Sequence, residues 1–163
     1  MATVKRHSVI IKCESNITEE LTAYAAITPG HLVELYPTTA GYVRMHSTAS
    51  GNVLPMFALE DESQGKGIDD AYAASDKVQV WIPTRGDIVN ALLADGQNIA
   101  IGDFLESAGN GSLQKYVADV DSSADITTIY GNAIVGQATE AVDLSGSSGL
   151  HPVSGLRIKV RII

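Results

Sequence analysis

The sequence predicts an all-β domain, a barrel or sandwich of about ten short strands with long loops and at most one or two short helices. Three observations predict it. β-Branched runs a few residues long recur along the chain, and turn chemistry rich in Gly, Pro, Asn and Asp separates them. Helix candidates are few. The 163 residues suit one domain with one core, so residues 1–163 are read as a single unit.

Val9-Ile10-Ile11 is β-branched and bounded by polar residues, which makes a first strand. Residues 14–26 read as a short helix or a loop, with Thr18-Glu19-Glu20-Leu21 as a weak helix start. Ile27-Thr28-Pro29-Gly30 is a turn, because Pro fixes φ and Gly permits a positive one. Residues 31–36 form a strand, Thr38-Thr39-Ala40-Gly41 reverses it, and 42–46 return. Residues 52–59 are apolar and strand-like, and Pro55 puts them at an edge or a break. Residues 60–76 are acidic, contain Gly65 and Gly67, and read as a long surface loop.

Residues 77–83 are a strong strand, with Val78, Val80 and Ile82 on one face and Lys77, Gln79 and Trp81 on the other. Residues 88–93 follow as a strand or short helix. Short strands are expected at 99–101, 104–105, 113–117 and 133–138, with Asn110-Gly111 as a hairpin turn. Residues 145–155 are Gly/Ser-rich and loop-like. The chain then alternates cleanly, with Leu156, Ile158, Val160 and Ile162 against Arg157, Lys159 and Arg161. One small pattern recurs: Gly30-His31-Leu32-Val33-Glu34, Gly86-Asp87-Ile88-Val89-Asn90 and Gly102-Asp103-Phe104-Leu105-Glu106. Hairpin chemistry alone, or an internal duplication, accounts for it.

The formal charge of −8 argues against general nucleic-acid binding. Its distribution says more. All 19 acidic residues lie between Glu14 and Asp143, whereas Lys5, Arg6 and Lys12 sit at one end and Arg157, Lys159 and Arg161 at the other. These six residues are the candidate interface for an acidic partner, since charge complementarity orients docking. Cys13 is the single cysteine, so no intrachain disulfide forms, and a buried, inert thiol is expected. No run reaches the ~18 apolar residues of a membrane helix. No signal-peptide apolar region follows the polar first residues.

Catalytic signatures are missing. The histidines at 7, 31, 46 and 151 share no metal-ligand spacing, and no nucleophile elbow or phosphate loop occurs. Asp119, Asp121, Ser123 and Asp125 start like a calcium loop, but Ala124 and Tyr130 occupy the positions that need Gly and Glu. No catalytic residue, cofactor or metal is therefore expected. A carbohydrate-binding β domain usually clusters its aromatics, and here one Trp, two Phe and six Tyr are dispersed.

A resemblance sharpens this reading. Residues 27–35 and 78–87 carry part of it. The segment 91–113 carries most, with its Leu93-Ala94-Asp95-Gly96 turn, its Ile99-Ala100-Ile101-Gly102-Asp103-Phe104-Leu105 strand and its Gly109-Asn110-Gly111 hairpin. Together they resemble the small capsid decoration, or cement, proteins of tailed bacteriophages. The resemblance implies a compact barrel-like or β-tulip domain on the outer capsid surface of the virion. It implies a homo-trimer that bridges and stabilises subunits of the major capsid protein, without nucleic acid or membrane. Residues 1–8 would form an extended arm, and the basic ends would reach adjacent subunits. The alternative is another minor virion structural protein, a tail or fibre-base component.

Overall fold

The computed structural model describes residues 6–118, 131–146 and 156–163. Strands come in the order β1 (Ile10–Lys12), β2 (Thr18–Ala23), β3 (Val33–Leu35), β4 (Tyr42–Met45), β5 (Phe57–Ala58), β6 (Lys77–Trp81) and β7 (Ile88–Leu92). They continue as β8 (Asn98–Ile99), β9 (Phe104–Ser107), β10 (Leu113–Lys115), β11 (Ile134–Ala138), β12 (Val142–Asp143) and β13 (Arg157–Ile162). Among the described residues the only helix is one 3-10 turn, Glu62–Gln64. The all-β expectation holds.

The strands form a six-stranded sheet, β1-β7-β13-β11-β9-β10, a five-stranded sheet, β3-β4-β2-β6-β5, and the small pair β12-β8. No closed barrel forms. The outer strands of the five-stranded sheet meet at one isolated bridge, Leu32 with Phe57, a second bridge joins Leu93 to Leu113 of β10, and the two large sheets share a core. Val89 and Ala91 of β7, Ile158 and Val160 of β13, and Val135 of β11 meet Phe57, Trp81 and Leu32 from the five-stranded side. Ile27, Val33, Val43, Tyr72, Val78 and Val80 form a second cluster. β6 thus buries Val78 and Val80 in one cluster and Trp81 in the other, as alternation along a strand requires.

Residues 14–26 depart from the expected helix or loop. Thr18 to Thr22 pair residue by residue with Trp81 to Lys77 of β6, and Thr22 and Ala23 pair in parallel with Tyr42 and Val43 of β4. Pairing with a strong strand overrides the weak helix start. Residues 88–93 resolve to strand for the same reason, because β7 has β1 on one side and β13 on the other. The segment around Pro55 shortens to the two residues of β5, at a sheet edge. Asp119 to Asp125, Lys5 and most of the Gly/Ser-rich stretch lie outside the described residues.

The recurrent Gly pattern is one turn used repeatedly. The His31 N–H donates to the Thr28 carbonyl (3.0 Å) while the Thr28 N–H donates to His31 Nδ1 (3.0 Å). Asp87 and Asp103 repeat both bonds with Thr84 and Ala100, their carboxylates each 2.8 Å from the N–H. The third position needs a positive φ and holds Gly30 (88°), Gly86 (98°) and Gly102 (92°). Asp76 makes the same pair of bonds to Ala73, with Ser75 at 74°, a fourth instance without the Gly signature. The strands that follow have unlike neighbours: β3 is an edge, β7 and β9 are internal. This favours shared turn chemistry over duplication.

Gly136 has a different necessity. A Cβ there would lie 2.4 Å from the Arg161 carbonyl oxygen and 2.7 Å from Val160 Cγ1, where β11 crosses β13 and its register with β9 shifts. Gly136→Ala is expected to cost about 2–3 kcal/mol, because a neighbouring backbone cannot step aside as a flexible side chain can. For a chain of this size the melting temperature would fall by roughly 5–10 °C. Circular dichroism melting checks this, and a wild-type melting temperature would contradict the contact.

Candidate docking face

The last strand shows the alternation that its sequence predicts: Ile158, Val160 and Ile162 are buried, and Arg157, Lys159 and Arg161 face away from the core. Register then fixes their neighbours. Arg161 lies opposite Ile88 of β7 and Gln137 of β11, Ile88 lies opposite Lys12 of β1, and Gln137 lies opposite Phe104 of β9. Paired residues share a sheet face. One row therefore crosses five strands: Lys12, Ile88, Arg161, Gln137, Phe104. Phe104 is 43% exposed, and Ile101, in the turn before it, is 72% exposed. The face is basic at one end and apolar at the other.

The six basic residues do not act alike. Lys12 and Arg161 are exposed and have no ion pair among the described residues. Arg6 and Lys159 converge on Glu140, at 2.6 and 3.5 Å. Glu140 also accepts the Lys159 N–H (2.9 Å), where β11 peels away and the ladder ends. Burial pushes the Glu140 carboxyl up, but the Arg6 guanidinium, the Lys159 N–H and the Lys159 charge outweigh it and hold it below the usual carboxylate range.

Arg157 does not share the exposure of Arg161. Its side chain is only 8% exposed. The guanidinium donates to the Pro29 carbonyl (2.8 Å) and the Ile68 carbonyl (2.7 Å) and lies 3.6 Å from Asp69. The Thr28–His31 turn and the acidic loop cover this end of β13. Cys13, expected to be buried, is exposed.

The acidic loop at 60–76 is anchored. Ile68 and Tyr72 are buried, and the Tyr72 hydroxyl donates to the Leu59 carbonyl (2.8 Å). Burial, with Asp61, Glu60 and Asp76 nearby, pushes Tyr72 up to about 12. Glu60 accepts the Val9 N–H, and Asp70 and Asp76 accept N–H groups within the loop's own turns. These carboxylates are thereby committed to holding backbone.

Beside the docking row, Asp87 locks the turn into β7. It is 1% exposed and accepts the N–H and hydroxyl of Thr84 and the N–H of Glu14. Burial pushes its carboxyl up, yet these donors and the Lys12 charge hold it below the ordinary value. A depressed carboxyl contributes stability that is complete above the unfolded pKa of about 3.9 and is lost as pH falls through the folded value. Asp87→Asn is expected to lower stability at pH 7 by about 2 kcal/mol. It should also flatten the acid limb of the stability–pH curve below about pH 4. Urea unfolding across pH measures both, and an unchanged acid limb would count against Asp87 as its source.

His46, Ser107 and Glu34 line up like a catalytic triad, with His46 Nδ1 2.8 Å from Ser107 Oγ and Nε2 3.6 Å from Glu34. The geometry is structural. Ser107 is fully buried and accepts the Gly109 N–H, and His46 Nε2 lies 3.0 Å from the Asn52 carbonyl, which it can serve as a donor. Among the described residues no group of three His, Cys, Asp or Glu side chains is arranged to hold a metal. None of their helices is long and apolar enough to cross a membrane.

Sequence reasoning found the basic strand but missed Gln137 and Phe104, which join it only through cross-strand register. No protein-family model matches the chain, and no curated protein matches it. Its fold is similar to that of the head fibre gp8.5 N base of bacteriophage phi29, with a TM-score of 0.53 at 13% identity, over 91% of this chain and 95% of that one. At that identity the shared property is the fold: an almost helix-free arrangement of short strands matched over nearly the whole of both chains.

Proposed function

We propose that this chain is a structural protein of a phage virion, held on the outer surface of the capsid, where it bridges neighbouring major capsid subunits and stabilises the shell. The observation that carries the reading is the fold shared with a phage head-fibre base across 91% of the chain. The turn-and-strand motifs that resemble capsid decoration proteins point the same way. In this reading Lys12 and Arg161 make the first electrostatic contacts, and Ile88, Gln137 and Phe104 supply the neighbouring surface. Arg6 and Lys159 stand behind them. Repetition over a symmetric lattice, reinforced by a homo-trimer, turns weak contacts into stable attachment. The mechanism needs no catalytic step and no cofactor.

The double variant Lys12→Glu/Arg161→Glu is expected to weaken co-sedimentation with heads of the same phage about tenfold near physiological salt, with a smaller difference at high salt. Arg157→Lys is the contrasting variant, because its side chain is covered and should leave binding unchanged. Equal binding by the double variant and the wild type would remove this face from the reading.

A second reading has its own support, since the structural neighbour is itself a fibre base. The chain would then anchor a fibre on the head. Cryo-electron microscopy of particles separates the two. Density bridging capsomers across the lattice supports decoration, and density at the foot of a projecting fibre supports the base.

A further inference from the structure

The six tyrosines are dispersed in sequence, yet the fold brings two of them into one stack. Tyr24 follows β2 and Tyr36 follows β3. Their ring centroids are 3.8 Å apart, with planes inclined by 16°. The Arg44 guanidinium lies 5.4 Å from the centre of the Tyr36 ring and donates through Nε to Glu34 (2.7 Å). Tyr24 is 50% exposed. The hydroxyls are adjacent as well: the Tyr24 hydrogen bond to Tyr36 pushes Tyr24 up and draws Tyr36 down. The stack is thus fixed before anything binds.

The stack stands at one side of a polar sheet face. Register places Glu20 opposite Gln79, Thr22 opposite both Lys77 and Tyr42, and Glu34 opposite Arg44. Gln79 donates to Glu20 (3.2 Å) and Lys77 to Thr22 (3.1 Å). The same face continues into Trp81, which is buried in the core between the large sheets. One half of the face is therefore packed and the other half is open. Four strands at about 4.8 Å spacing make the open half about 14 Å wide.

The geometry points to this open half as a binding site for a neutral polysaccharide chain. A sugar ring has an apolar C–H face that packs on an aromatic ring and a rim of hydroxyls that both donate and accept. The Tyr24–Tyr36 stack matches the first, and the amide, carboxylate, hydroxyl and ammonium groups of Gln79, Glu20, Thr22 and Lys77 match the second. Open β-sheet faces bind oligosaccharides in other folds. Against a second copy of the chain as occupant stand Glu20, Glu34 and Lys77 on the open half, residue types depleted at the centres of protein interfaces. The face carries two acids, Glu20 and Glu34, against two cations, Arg44 and Lys77, and the chain carries −8, so an anionic polymer is disfavoured.

The test uses the full chain and a printed array of neutral glycans. The tetrasaccharide that gives a signal is then titrated by 15N NMR. The expected result is binding in the millimolar to high micromolar range, with shifts confined to residues around 20–24, 34–44 and 77–79. Tyr24→Ala should weaken it at least tenfold, and Tyr24→Phe, which keeps the ring, should lose far less. Both variants should stay folded, with Tyr24→Ala melting only a few degrees lower for the lost ring stacking, because Tyr24 is half exposed. Three results would each overturn the proposal: no glycan bound at millimolar concentration, binding unaffected by Tyr24→Ala, or wild-type self-association in sedimentation that Tyr24→Ala abolishes. The measurement is made on free protein, so it stands or falls independently of capsid attachment.

Discussion

Arg157→Ala is expected to destabilise the protein by about 4 kcal/mol, the largest effect of any change on the polar side of the last strand. The side chain is covered by the Thr28–His31 turn and the acidic loop, and its guanidinium bonds two carbonyls, Pro29 and Ile68, and faces Asp69. Removing it leaves acceptors buried without donors and a carboxylate without its cation, and that loss exceeds the modest net worth of the bonds themselves. Burial draws the guanidinium pKa down and Asp69 and Glu60 draw it back up. Arginine stays protonated through the working range regardless. The melting temperature should fall by roughly 8–16 °C. Arg157→Lys, with a charge but no fork, should recover about half of the loss. Thermal unfolding of the three proteins decides the matter, and a loss below about 1 kcal/mol for the alanine variant would mean that Arg157 is not the clamp described.

Trp81→Ala should cost about 3–5 kcal/mol. Trp81 is fully buried, pairs with Thr18 and Phe57, and packs into the core between the two large sheets. Trp81→Phe is the informative companion. The indole Nε1–H has no acceptor among the described residues, so phenylalanine removes a buried donor together with part of the ring. The two effects oppose each other, and a net loss of only about 1 kcal/mol is expected. Denaturant titration by circular dichroism measures both variants. If the phenylalanine variant fell as far as the alanine variant, the indole N–H would have to be satisfied and ring shape would dominate.

Much of this fold was legible because its local signals agree with one another. The β13 alternation, the Asn110-Gly111 hairpin and the strong β6 pattern each demand one structure. β2 was not legible, since Thr18-Glu19-Glu20-Leu21 becomes a strand only through partners more than 50 residues away in β6. The two-sheet arrangement was illegible for a related reason. Strand periodicity tells which side chains share a face but not whether the sheet closes.

The docking face was half legible. Arg161 and Lys12 appear where the charge split puts them. Arg157 has the same alternation as Arg161, and nothing in the alternation reveals that a turn and a loop cover one and not the other. The aromatic stack was hidden more deeply. Tyr24 and Tyr36 meet because β2 and β4 run parallel in an otherwise antiparallel sheet, and that choice leaves no local mark on the sequence.

The position of β13 has a consequence for how the protein is made. It lies between β7 and β11 in the six-stranded sheet, although 64 residues separate Leu92 from Arg157. At roughly 5–20 residues per second, a ribosome reaches β13 some 3–13 seconds after finishing β7. The other neighbour of β13, β11, ends at Ala138, so it is over the last 18 residues before Arg157 that the nascent chain carries two unpaired strand edges flanking an empty slot. Such edges recruit any β-strand within reach, including the same slot's complement from a neighbouring polysome. Crowded synthesis would thus favour exchange of β13 between chains, and chaperone occupancy of the nascent protein should concentrate in this window.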